Sequence, residues 1–152
     1  MESQESPKFL FSVRAGADLP MKPSIVMVDL RKLVGHERVD RGRLMAVRTQ
    51  LCTQRALRRP IIVDRGSHVI LDGHHRVSAL RTLGAKRIPV QYVQYQSKAV
   101  RVYFRRRHLL MRLIKQCVLE NARRGNVFPS KTTRHLLQHR RRMRAIPLST
   151  LI

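Results

Sequence analysis

The sequence predicts an α+β fold, a small mixed sheet with flanking helices followed by a short C-terminal α/β extension. Three observations carry this. Between residues 24 and 95, short β-branched runs alternate with stretches of helical periodicity in the order strand, helix, strand-turn-strand, helix, strand. The 152 residues are about one domain's worth of chain, enough to bury a core without disulfides. Hydrophobic residues at 43% and charged residues at 27% are near the globular average, which argues against wholesale disorder.

Residues 1–23 carry Pro7, Pro20 and Pro23 with little periodicity and read as an N-terminal arm. Ser24 to Leu30 is a strand by its β-branched content. Asp40 is an N-cap for a helix in which Leu44, Val47, Leu51 and finally Leu57 recur at helical spacing, until Pro60 stops it. Ile61–Asp64 and Val69–Leu71 are short strands joined by the turn Asp64-Arg65-Gly66-Ser67. A helix opens at Gly73 or His74, turns Val77, Leu80 and Leu83 inward and takes Gly84 as its C-cap. Ile88 to Tyr95 is a strand broken early by Pro89. The first unit thus spans 24–96.

Residues 97–152 form the extension. Ala99 to Phe104 reads as a strand. Leu109 to Ala122 is an amphipathic helix with Leu109, Leu110, Leu113, Ile114 and Val118 on one face, closed by Arg123-Arg124-Gly125. By spacing alone, Ser130 to His135 reads as a basic turn entering a helix. Arg140-Arg141-Arg142 has no apolar interleaving and reads as a solvated face or a polyanion contact. Ala145 to Leu148 makes a short final strand. Cys52 and Cys117 fit neither a disulfide framework nor a thiolate zinc site, and sit within amphipathic helices as expected core residues. No apolar run approaches the ~20 residues that span a bilayer, so no membrane association is expected. The acidic, polar N-terminus is unlike a secretory signal, so a cytoplasmic protein is expected.

The charge is far from average. Thirty-two basic residues against nine acidic ones give +23, and residues 31–152 alone carry 29 basic and five acidic groups, or +24. Such a field attracts polyanions without reading them, whether nucleic acid, nucleotides or phosphorylated metabolites. Drift toward arginine codons would give the same composition, so charge by itself assigns no function.

The sharpest local feature is Leu71-Asp72-Gly73-His74-His75-Arg76, a strand running into a helix start. A helix N-terminus offers free N–H groups and a positive dipole end to an anion. His74, His75 and Arg76 add donors, and Gly73 permits close backbone approach. Asp72 suits such a site if Mg²⁺ bridges it to substrate phosphates, or else it caps the helix. Adjacent histidines point about 100° apart on a helix and rarely share one ion, which argues against zinc. Lys131-Thr132-Thr133-Arg134-His135 is a second set suited to a phosphate or carboxylate. Glu37, on the connection between first strand and first helix, is either a general base or a surface glutamate.

Leu57 to Asp64, Val69 to Leu71 and Asp72-Gly73-His74-His75-Arg76 together resemble the ParB/sulfiredoxin-type domain. Sulfiredoxins carry a cysteine after the glycine and chromosome-partition ParB proteins a glutamate. Here His74 stands there, without a thiol, which excludes peroxiredoxin repair. The Asp-Gly-His-His-Arg form is similar to the free L-serine kinases, which make O-phospho-L-serine from ADP or ATP. His36-Glu37 falls where those kinases have a Pro-His-Glu segment supplying the catalytic glutamate, and Gly125 to His135 resembles their C-terminal Leu-Phe-Pro-Pro-Lys-Thr-Thr-Arg-His motif. The resemblance runs from about residue 25 to 148. It departs at Gly35, where the kinases have proline, at Arg38, Arg41 and Arg43 around a single Asp40, and at Phe104 in place of a tryptophan.

The resemblance implies a small-molecule kinase. Glu37 would take the serine hydroxyl proton, and Asp72 would help hold Mg²⁺. Gly73, His74, His75 and Arg76 would bind the phosphates of ADP or ATP. Lys131, Thr132, Thr133, Arg134 and His135 would bind the serine carboxylate or the transferring phosphate. The rival expectation is a ParB-like nucleic-acid-binding or regulatory module without catalysis, supported by the basic surface. Against it stand the lack of a helix-turn-helix segment and only seven aromatic residues.

Overall fold

The computed structural model describes residues 24–104 and 111–152. The expected arm over 1–23, and Leu109 and Leu110 of the expected helix face, lie outside them. A four-stranded mixed sheet forms the centre, in the order β1 (Ile25–Asp29), β5 (Arg87–Val93), β3 (Ile61–Asp64), β4 (Ile70–Asp72). β1 and β4 run antiparallel to their neighbours, and β3 and β5 pair parallel. The α+β class and the small mixed sheet with flanking helices are as expected.

Alternation along the strands explains the layers. Ile61, Val63, Ile70, Ile88 and Val90 enter one core cluster, while Ile62, Val69, Leu71, Val93 and Tyr95 enter the other. Both faces of the sheet are therefore covered, which is why its strands read as continuous apolar runs. One face carries α1 (Arg41–Gln54), α2 (His74–Thr82) and α4 (Leu148–Leu151). The other carries α3 (Met111–Arg123) and a two-stranded ribbon of β6 (Val100–Phe104) with β7 (Thr133–Leu137). The last residues return to the first core: β8 (Ile146–Pro147) pairs with β2 (Ala56–Leu57), and Leu148 and Leu151 are buried there. No described helix is long and apolar enough to cross a membrane.

Several elements differ from expectation. α1 does start on Asp40, whose carboxylate accepts from Arg43 N at 2.8 Å. It ends well before Pro60, because Arg55 adopts a left-handed conformation (φ 51°) and turns the chain into β2. Leu57 is consequently a buried strand residue and not the last of a helical face. Pro89 does not break β5. It pairs with Met27 of β1, and β3 joins β5 only from Val90 onward.

Residues 133–137 form a strand, not a helix entrance. Thr133 and His135 are buried while Arg134 and Leu136 are exposed, a period of two written in polar residues. The final strand is only β8, after which the chain turns into α4. Cys52 and Cys117 are both exposed, contrary to the core placement expected. Each adjoins a buried residue, Leu51 or Val118, and one step of about 100° carries it off the buried stripe.

Candidate active site

The segment after β1 is stitched in from both sides. Val34 N donates to His68 O at 2.9 Å and Ile70 N to Val34 O at 2.8 Å. Phe128 N then donates to His36 O at 2.8 Å and Arg38 N to Phe128 O at 2.7 Å. These ties hold residues 34–38 between β4 and the stretch leading into β7, so that Glu37 and Thr133 meet from opposite ends of the sequence.

Glu37 is held firmly. Its Oε1 accepts from Thr133 N at 2.7 Å and Thr133 Oγ1 at 2.5 Å, and its Oε2 accepts from Lys131 N at 3.2 Å. Lys131 takes a left-handed conformation (φ 59°), uncommon for a side-chain-bearing residue, within this turn. Beneath Glu37, His36 is fully buried, with Nδ1 against Ile70 O at 2.8 Å and Nε2 against Thr133 Oγ1 at 2.9 Å.

The start of α2 forms the second wall. Its N-cap is Gly73, without a side-chain cap, so Asp72 does not cap the helix. The Asp72 carboxylate instead meets Arg140 Nη1 at 2.7 Å and Arg76 Nη2 at 3.5 Å. Burial raises the pKa of this carboxyl, but the two guanidiniums outweigh it and hold the group below its usual range. Arg140, expected on a solvated face or at a polyanion contact, is thus an ion-pair partner of Asp72 on the wall of the cleft. Arg76 also donates through Nη1 to Arg59 O and Pro60 O, at 3.0 Å each.

His74 and His75 both face back toward the preceding loop. His74 Nε2 accepts from His36 N, and His75 Nε2 from Asp40 N, each at 3.2 Å. An Nε2 that accepts leaves Nδ1 as the hydrogen-bearing nitrogen of a neutral ring. Burial, reinforced by neighbouring His36 and His135, drives the His74 pKa well below its ordinary value. His135 is buried too, with Nε2 against Tyr95 Oη at 2.9 Å, and burial lowers its pKa to about 3.

Gly73 sits at φ 112°, where a side chain is strained, and an added Cβ would lie 2.7 Å from Ile61 Cδ1 and 3.1 Å from Arg76 Nη2. Gly73→Ala is therefore expected to destabilise the fold by roughly 1–3 kcal/mol, read as a lower denaturant midpoint. An unchanged midpoint would show that the helix start can relax.

These walls enclose a cleft of about 760 Å³ that reaches the end of α1 and β2. Every expected site residue except Thr132 lines it: Glu37, Asp72 to Arg76, Lys131, Thr133, Arg134 and His135. Thr132 closes the preceding turn, its hydroxyl donating to Pro129 O at 2.6 Å. Arg43, Arg58, Arg59 and Arg140 line the cleft as well, so seven cationic side chains face two carboxylates, Glu37 and Asp72. The excess suits a multiply charged anion. Sequence reasoning missed His36 and Arg140. The sequence marks His36 only as the neighbour of Glu37, and nothing local marks Arg140 as the partner of a residue 68 positions away.

Among the described residues, no three His, Cys, Asp or Glu side chains cluster as a cation site. A divalent ion would fit at Asp72 only in the manner of Mg²⁺ with nucleotides, one carboxylate plus phosphate oxygens.

No family model matches the chain. It is 32% identical over 81 residues to an ATP-dependent L-serine kinase from Desulfurococcus mucosus, a match covering 51% of this chain and 32% of that protein. It is 32% identical over 91 residues to an ADP-dependent L-serine kinase from Thermococcus kodakarensis, covering 57% of this chain and 38% of the relative. The chain thus spans about a third of the length of the curated relatives it matches. Among solved structures, a free serine kinase in complex with AMP superposes with a TM-score of 0.71 at 19% identity, covering 90% of this chain and 98% of the other. The fold is that of this kinase structure.

Proposed function

We propose that this chain carries the active site of an L-serine kinase, moving the terminal phosphoryl group of ATP or ADP to the serine hydroxyl. One observation carries the reading furthest: the immobilised Glu37 carboxylate shares a strongly cationic cleft with the open N-terminus of α2. The likeness to L-serine kinases supports it. Phosphoryl transfer asks the protein chiefly to position groups and neutralise charge.

In this reading Glu37 accepts the hydroxyl proton. The N–H groups at Gly73 and His74, with His75 and Arg76, hold the nucleotide phosphates, while Lys131 and Arg134 take the serine carboxylate or the transferring phosphate. Asp72 would help hold Mg²⁺, which would supply neutralisation of phosphate charge. Purified protein with Mg²⁺, L-serine and either ATP or ADP is expected to yield phosphoserine, detected by mass spectrometry. Folded protein that turns over neither donor would sink the kinase reading. Salt-sensitive duplex binding without turnover would favour a nucleic-acid module instead.

A further inference from the structure

Glu37 terminates a run of three hydrogen bonds that enters the core: Ile70 O with His36 Nδ1, His36 Nε2 with Thr133 Oγ1, and Thr133 Oγ1 with Glu37 Oε1. A carbonyl only accepts, so Nδ1 carries a hydrogen. A neutral His36 then presents a lone pair at Nε2, and Thr133 has one hydrogen for two acceptors. Three hydrogen bonds need three hydrogens, whereas a carboxylate, a hydroxyl and a neutral imidazole supply two. The run is one proton short of complete.

Its surroundings oppose completing it in advance. Burial disfavours a charged His36, although the Glu37 carboxylate and the Ile70 carbonyl pull the other way. The rings of His74 and His135 lie 4.6 and 5.5 Å away. On the cleft side, Glu37 accepts from the backbone N–H groups of Lys131 and Thr133, with His75 nearby.

We propose that Thr133 is a positioning residue for proton transfer, joining Glu37 to His36 so that the three together take the acceptor's proton. This rests on the phosphotransfer reading. The acceptor O–H bond breaks as its oxygen bonds to phosphorus, and the bond from phosphorus to the nucleotide's bridging oxygen breaks with its electron pair leaving on the nucleotide. The proton goes to Glu37. With the new carboxyl hydrogen turned toward Thr133 Oγ1, the threonine hydroxyl donates to His36 Nε2 and all three hydrogen bonds are made. The assignment moves Thr133 from substrate binding, its expected role, to support of the base.

Thr133→Val keeps the shape, the strand preference and the backbone N–H that Glu37 needs, and removes only the hydroxyl. Its kcat should fall roughly 10–100-fold, toward the lower range for proton transfer, with KM for serine and nucleotide nearly unchanged. Thr133→Ser should restore most of it. The acid limb of the pH–rate profile should move to lower pH, because the loss removes one hydrogen bond from the deprotonated unit and two from the protonated one. Imidazole ¹⁵N spectra give a readout apart from turnover: His36 should carry its hydrogen on Nδ1 and protonate at lower pH in Thr133→Val. A raised KM at unchanged kcat, or an unmoved His36 midpoint, overturns the proposal. Wild-type protein that makes no phosphoserine while the His36 midpoint still moves overturns the functional reading and leaves the coupled unit standing.

Discussion

Glu37→Gln is expected to lower phosphoserine turnover by roughly 10²–10⁴, the scale of a lost general base. The geometry adds a second effect. An amide whose oxygen keeps the two bonds from Thr133 must aim its NH₂ at Lys131 N, which now stands 3.2 Å from a carboxylate oxygen. Donor would face donor, and the turn at 129–132 would relax outward. The KM for serine should therefore rise modestly along with the fall in kcat. Nucleotide affinity, measured by calorimetry, should barely change, since no Glu37 hydrogen bond reaches α2. Wild-type turnover in this variant would remove Glu37 as the base and leave the fold untouched.

Acidification from pH 7 to 5 should destabilise the fold by roughly 2 kcal/mol or more. His74 and His135 are buried and neutral, one with its pKa well below the ordinary value and the other at about 3. In the unfolded chain both bind protons near pH 6.5. The unfolded state therefore holds more protons below that point, so their contribution is full above about pH 6.5 and drains as the pH falls toward the folded values. With a slope of about 1.4 kcal/mol per pH unit, His135 alone loses roughly 2 kcal/mol between pH 6.5 and 5, and His74 acts in the same direction. Against a typical stability of 5–15 kcal/mol that is a large share. Urea midpoints at pH 7, 6 and 5 would record it. A flat profile over that range would mean that these rings titrate normally in the folded state. Asp72 acts in a separate, more acidic window: its lowered pKa contributes stability above about pH 4 that is lost on further acidification.

Local chemistry was legible. Asp40 announced α1 because a short acceptor before a helical pattern satisfies the first free N–H groups, and Gly73 marked a close approach that its φ of 112° and the nearness of Ile61 bear out. Three polar motifs stood out in order along the chain, and the cleft draws all three together. What stayed hidden depends on long-range pairing. β7 is written with Thr133, Arg134 and His135, whose alternation carries meaning only once β6 lies beside it. Arg140 reads as part of a solvated face or a polyanion contact because its partner, Asp72, belongs to another part of the chain. His36 offered no local sign that it would be enclosed with both ring nitrogens engaged.

The tie between Glu37 and Thr133 joins residues 96 positions apart. Loop-closure entropy is recovered for such a contact only after both flanking regions have settled. Helices and the central hairpin can therefore form in a refolding chain while Glu37 still lacks its holders. On the proposed function, competence is expected only with this final long-range docking. Recovery of turnover would thus clock completion of the fold more faithfully than recovery of secondary structure.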